Sequence, residues 1–101
     1  MKGVKTLIIY IAGPITGVWN SKANFAAAEF KLRGNIVFNP SLMPEGLPHE
    51  TYMPICYAMM DACDTVYFMH GWEASEGARM EFEYATAKGM RIMFEGSEND
   101  G

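Results

Sequence analysis

The chain alternates short apolar runs with longer amphipathic stretches, and this alternation predicts its elements. Thr6 to Ala12 is mostly apolar and rich in β-branched side chains, and it stops at Gly13-Pro14. Such a run reads as a buried strand that breaks into a loop. Ser21 to Arg33 carries Phe25, Ala28 and Leu32 on one helical face, with Gly34 as a stop signal. Asn35 to Asn39 predicts a second short strand closed by Pro40, and Ser41 to His49, with two prolines and a glycine, predicts a surface loop. Glu50 to Cys63 predicts a second helix whose inner face is Tyr52, Ile55, Cys56, Met59 and Cys63. Asp64 ends it and Thr65 to Met69 is a third buried strand. After a loop at Gly71 to Ala74, a helix runs from Ser75 to Gly89, and Arg91 to Phe94 forms the last strand. The polar residues Glu95 to Gly101 are expected to fray.

Strands alternating with helices imply a parallel sheet with helices on both faces. In such sheets ligands bind beyond the carboxyl ends of the strands. Three loops are therefore expected on one rim: Gly13 to Asn20, Asn39 to His49, and His70 to Ser75.

The most informative segment is Ser75 to Gly89. At 100° per residue, Ala78, Met80, Phe82, Tyr84 and Ala85 share a broad side, and Arg79, Glu83 and Thr86 share the other. Glu81 falls between Ala85 and Tyr84, on the side that faces the protein. Burying a carboxylate is costly unless it is paired or neutralised, so the position points either to a task or to a glutamate that reaches outward toward Lys88.

The 101 residues suit one domain with a single core. No apolar run reaches membrane-spanning length and no cleavable signal pattern is evident, so the expected location is the cytoplasm. Eight basic and twelve acidic residues leave a net charge of −4 with no basic cluster, which argues against a long nucleic-acid partner. A small phosphorylated ligand stays possible, because helix N-termini hold a phosphate without a basic patch. Cys56 and Cys63 would lie about 10 Å apart on one helix, too far for a disulfide, and no metal-binding spacing is present. The nine methionines, among them Met53, Met59, Met60, Met80 and Met90, read as core filling.

The loop YIAGPITG at Tyr10 to Gly17, the pair Asn39-Pro40, and the segment from Cys63 to Gly89 resemble, in that order, the nucleoside 2-deoxyribosyltransferase-like superfamily, and in particular a small branch of it common in bacteriophages. The resemblance spans Leu7 to Phe94. It implies a flavodoxin-like or Rossmann-like three-layer α/β fold with a small parallel sheet of four or five strands, and a homodimer or larger homo-oligomer in a bacterial or phage-infected cytoplasm. It also implies cleavage of the N-glycosidic bond of deoxynucleosides or their 5′-monophosphates, with no cofactor. Carried onto this chain, Glu81 would be the nucleophile that attacks C1′. Tyr10 would contact the sugar or the nucleophile.

Within that superfamily a serine six residues before the nucleophile goes with phosphate binding, and here it is Ser75. With Gly77 and the helix start it would form a phosphate seat, although serine is also a preferred helix cap. Gly13, Pro14, Thr16 and Gly17 of the first loop would complete the seat. Arg79 would supply the charge that Thr16 does not, or else lie on the solvent face. Trp72 and Trp19 are loop aromatics placed to stack on a base or to cover an interface. His49 and His70 have no partner in the sequence from which a triad can be built.

One departure stands out. The superfamily's enzymes carry an aspartate eight residues before the position of Asp64, and this chain has Cys56 there. A thiol is a poor replacement for a carboxylic acid. The sequence thus leaves three readings open: a glycosidase or transferase, a nucleotide-binding protein that uses the same pocket without turnover, and a structural subunit.

Overall fold

The computed structural model describes residues 5–15 and 17–97. Among the described residues four strands and three helices alternate: β1 (Ile8–Ala12), α1 (Ser21–Lys31), β2 (Ile36–Phe38), α2 (His49–Asp61), β3 (Thr65–Phe68), α3 (Glu76–Ala87) and β4 (Arg91–Phe94). Two single 3₁₀ turns, Pro40–Leu42 and Trp72–Ala74, lie in the loops after β2 and β3. All strand pairs are parallel, in the order β2-β1-β3-β4. The architecture is a parallel sheet with helices on both faces, as the alternation predicts, in the three-layer, flavodoxin-like arrangement that the resemblance implies.

The two-residue period of the central strands sorts their side chains into two cores. Ile9, Ile11, Tyr67 and Met69 pack on one face against Phe25, Ala28 and Leu32 of α1. Tyr10, Ala12, Val66 and Phe68 pack on the other against Cys56 and Met60 of α2 and Ala85 of α3. Helix α1 thus covers one face alone, while α2 and α3 share the opposite one. Stacking of Tyr57 on Tyr84, with centroids 4.3 Å apart, joins those two helices.

The inner stripe of α2 differs from the expected one. Met53, Cys56 and Met60 are buried, whereas Ile55 is exposed. Because α2 meets both the sheet and α3, the face that these neighbours cover is rotated from the one that the apolar spacing alone selects. The tail also departs from expectation at its start. The Glu95 carboxylate accepts the His70 backbone N–H at 2.8 Å and pairs with Lys31 Nζ at 2.9 Å, so it ties the end of β4 to the β3 loop and to α1. Residues 98–101 lie outside the described residues.

Strand order reverses at β1 and β3: the connection from β1 leads outward to β2, and that from β3 leads the other way to β4. Loops leaving these two strands diverge and leave a crevice at their carboxyl ends, where sheets of this class place ligands.

Candidate active site

A cleft of about 1290 Å³ opens at that crevice and is lined by the three loops expected there, together with the first turns of α1 and α3. Its shape depends on the backbone approach of two strand exits. A Cβ on Gly13 would stand 2.9 Å from Met69 Sδ and 3.1 Å from Met69 Cβ, so only glycine lets the β1 exit pass this close to the β3 exit. Gly71 takes φ +86°, a conformation that side chains disfavour, and so turns the β3 loop beside Pro14. On the third wall, Asn39 Oδ1 accepts the Ser41 N–H at 3.0 Å and its hydroxyl at 2.7 Å, while Asn39 Nδ2 donates to Glu29 on α1 at 3.0 Å. The Asn-Pro pair therefore anchors the long loop to α1.

At the floor of the cleft lies Glu81. It is 4% exposed and projects from α3 toward β1, where the Tyr10 hydroxyl donates to Oε2 at 2.6 Å. Tyr10 is itself fully buried, held by its place in the central strand. None of the ion pairs among the described residues includes Glu81. Burial pushes its carboxyl up from the ordinary 4.5 to about 7, and hydrogen bonds from Tyr10 and from the Cys56 thiol hold it from rising further. Burial and the neighbouring Glu81 carboxylate raise Tyr10 well above the ordinary phenol. The outcome is a proton-sharing carboxyl poised near neutrality at the end of a ligand-sized cleft, the environment in which carboxylates act as bases or nucleophiles.

Cys56 sits beside this pair. Burial lifts its thiol to about 11, so it stays protonated at neutral pH. Tyr52, one turn earlier on α2, is half-buried and lines the cleft.

The residues singled out from the sequence separate into two groups. Tyr10, Gly13, Pro14, Ser75, Gly77 and Glu81 all line the cleft. Ser75 caps α3, its hydroxyl oxygen accepting the Ala78 N–H at 3.2 Å. Thr16 lies outside the described residues. Arg79 and Trp72 stand elsewhere. The Arg79 guanidinium donates to the Glu73 carbonyl at 2.7 Å on the solvent side of α3. Trp72 packs inward on Phe82, Phe68 and Phe94, with ring centroids 5.0, 4.9 and 6.1 Å away, because the 3₁₀ turn rolls its side chain toward the sheet end.

The aromatic at the mouth is instead Trp19, 95% exposed on the β1 loop. Lining residues that the sequence reading does not single out for the site include Lys22, in the first turn of α1, Glu45 in the long loop, and Tyr52. His49 opens α2 and lines the cleft, with Nε2 3.5 Å from Met80 Sδ. Sequence periodicity gave no signal for Lys22, since an exposed lysine at a helix start is ordinary. Asp64 faces away from the cleft, its carboxylate accepting the Ile8 N–H at 3.2 Å and the Thr65 hydroxyl at 2.7 Å. Among the described residues no cluster of three or more metal-binding side chains is present, and no helix is long and apolar enough to cross a membrane.

Comparison with known proteins adds one relationship. No curated protein and no solved structure matches the chain. One family model does match, over residues 7–94, which takes in every strand, every helix and the whole described cleft wall. The chain therefore belongs to the family described as a domain of unknown function, DUF4406.

Proposed function

We propose that this protein cleaves the N-glycosidic bond of a nucleoside or of its 5′-monophosphate, with Glu81 as the nucleophile. The observation that carries this reading is the buried Glu81 carboxyl, hydrogen-bonded by Tyr10 at 2.6 Å on the floor of an open cleft. An anion in that place has no cation beside it among the described residues. It is thus suited to the positive charge that develops at C1′ as a base departs.

In the reaction so described, an Oε atom of Glu81 bonds to C1′ as the C1′–N bond breaks. The base leaves with the bonding electrons and takes up a proton. Water or a second base then attacks C1′ of the glycosyl ester and releases Glu81. The Tyr10 hydroxyl orients the attacking carboxylate and keeps part of it ionised near neutral pH. The resemblance of the Tyr10 loop and the Glu81 helix to nucleoside 2-deoxyribosyltransferase-like proteins supports the same chemistry.

A second reading has its own observation. Cys56 occupies the place of an acid, and burial keeps its thiol protonated to about pH 11. A group that holds its proton so firmly is a weak donor to a departing base, and a pocket so equipped suits retention of a nucleotide without turnover. In that case Glu81 would accept hydrogen bonds from sugar hydroxyls.

One experiment separates the two. The purified protein is incubated with deoxyribo- and ribonucleosides and their 5′-monophosphates, and free base is measured by chromatography. Release that disappears in a folded Glu81→Ala variant establishes glycosidase chemistry. Ligands that raise the melting temperature without any release establish the binding reading. The resemblance also implies a homo-oligomer, which sedimentation of the same sample tests.

A further inference from the structure

We propose that Lys22 is the residue by which the cleft reads a phosphate, with Glu45 as its exchangeable counter-ion. The inference rests on the nucleotide reading of the cleft. Among the described residues that line it, Lys22 is the single lysine or arginine, whereas Glu45, Glu76 and Glu81 are acidic. A dianionic phosphate entering this cleft therefore meets one strong cation.

The geometry of Lys22 fits that task. It stands in the first turn of α1, while Glu45 belongs to the long loop before α2, and Nζ and Oε2 are 3.5 Å apart. The pair thus joins two separate walls. Both side chains are well exposed, 58% and 83%, and exposed pairs of this kind add little stability. The contact is weak enough for a ligand to exchange it. A phosphate dianion carries more charge than the single Glu45 carboxylate, whose oxygen stands 3.5 Å from Nζ, and so competes with it for Lys22.

The α3 wall of the cleft is less suited to the charge. The Ser75 hydroxyl oxygen already accepts the Ala78 N–H, the first turn of α3 carries the Glu76 carboxylate, and the Arg79 guanidinium is turned away onto the Glu73 carbonyl. The α3 start can contribute amides and the Ser75 hydroxyl proton, but not a cation. Lys22 then decides between a nucleoside and its monophosphate.

The two members of the pair make opposite predictions. Affinities of the wild type, Lys22→Met and Glu45→Gln are measured by titration calorimetry with the four deoxynucleoside 5′-monophosphates and the four unphosphorylated deoxynucleosides. Losing a charge-assisted bond should weaken Lys22→Met for monophosphates by about tenfold and leave nucleosides within about twofold. Glu45→Gln removes a competing anion and should tighten monophosphates by about two- to fivefold. Lys22→Arg should keep most of the affinity. The proposal is overturned if both substitutions shift monophosphates and nucleosides alike, or if neither changes their ratio, and in those cases the glycosidase reading still stands. Wild-type protein that binds none of the eight compounds overturns the nucleotide reading and this proposal together.

Discussion

Replacing Glu81 by glutamine should make the protein more stable at alkaline pH and no more stable at acidic pH. Burial raises the carboxyl from 4.5 to about 7. Between those two values the unfolded chain has already released the proton that the native chain still holds. Native stability therefore falls as pH rises through this window, and the penalty is complete above about pH 7. At 1.36 kcal/mol for each tenfold change in proton affinity, the whole penalty is about 3 kcal/mol. Glutamine cannot ionise and escapes it. Its amide still accepts from Tyr10, but it places an N–H₂ where the carboxylate had only lone pairs, at a cost of about 1 kcal/mol.

The net expectation for Glu81→Gln is a gain of about 2 kcal/mol at pH 8.5, which for a domain this size means roughly 10 °C in melting temperature. Near pH 4.5 the same variant should be less stable than the wild type by about 1 kcal/mol. Urea denaturation of both proteins at pH 4.5, 6, 7 and 8.5 measures the difference directly. Parallel stability curves for the two proteins across this range would refute the reasoning, because they would mean that Glu81 ionises as freely in the native chain as in the unfolded one. A gain confined to alkaline pH, together with lost base release, would place Glu81 among residues whose strain serves function.

Tyr10→Phe removes the 2.6 Å donor that holds Glu81 down, so the Glu81 titration should move further above 7. The acid limb of any base-release profile should move up with it, with a loss of about 1 kcal/mol in stability from the bond itself. Cys56→Asp sets a second carboxyl beside Glu81 and should raise the acid limb of the profile by mutual repulsion. In a protein that still folds, it should increase turnover if proton delivery limits the reaction, and an unchanged rate would discard that explanation. Trp72→Ala should cost about 2–3 kcal/mol in urea denaturation, since it strips the stack on Phe82 and Phe94. Nucleotide affinity per folded molecule should not change, and a specific loss of affinity would return Trp72 to the site.

Much of the fold could be read from local pattern alone. β4 spans Arg91–Phe94 as its apolar run indicates, and α1 buries Phe25, Ala28 and Leu32 as their spacing requires. Glu81 also stood out, because a helix carries its periodicity in a short stretch of sequence, but its burial rather than an outward reach toward Lys88 was decided by the packing of α3 on the sheet. The three cleft-forming loops followed from strand and helix order, since parallel strands put their carboxyl ends on one edge.

What depends on neighbours distant in sequence could not be read this way. A strand buried on both faces gives every side chain the same apolar context, so the pattern of Thr6 to Ala12 left open whether Tyr10 meets the sugar or the nucleophile, and only the fold shows its hydroxyl reaching a residue 71 positions away. Trp72 and Trp19 look alike as loop aromatics. A 3₁₀ turn packs the first against Phe82, and the β1 loop leaves the second 95% exposed at the cleft mouth. Arg79 and Lys22 are both cations near helix starts whose helices both reach the cleft, yet only Lys22 meets it, because Arg79 is held on the solvent side of α3 by the Glu73 carbonyl. The sequence by itself determined which segments form helix and strand and set Glu81 apart among the carboxylates, through periodicities that each segment carries alone. Tertiary structure decided which side chains share the cleft, because that depends on strand order and helix rotation, and these are set by packing between segments far apart in the chain.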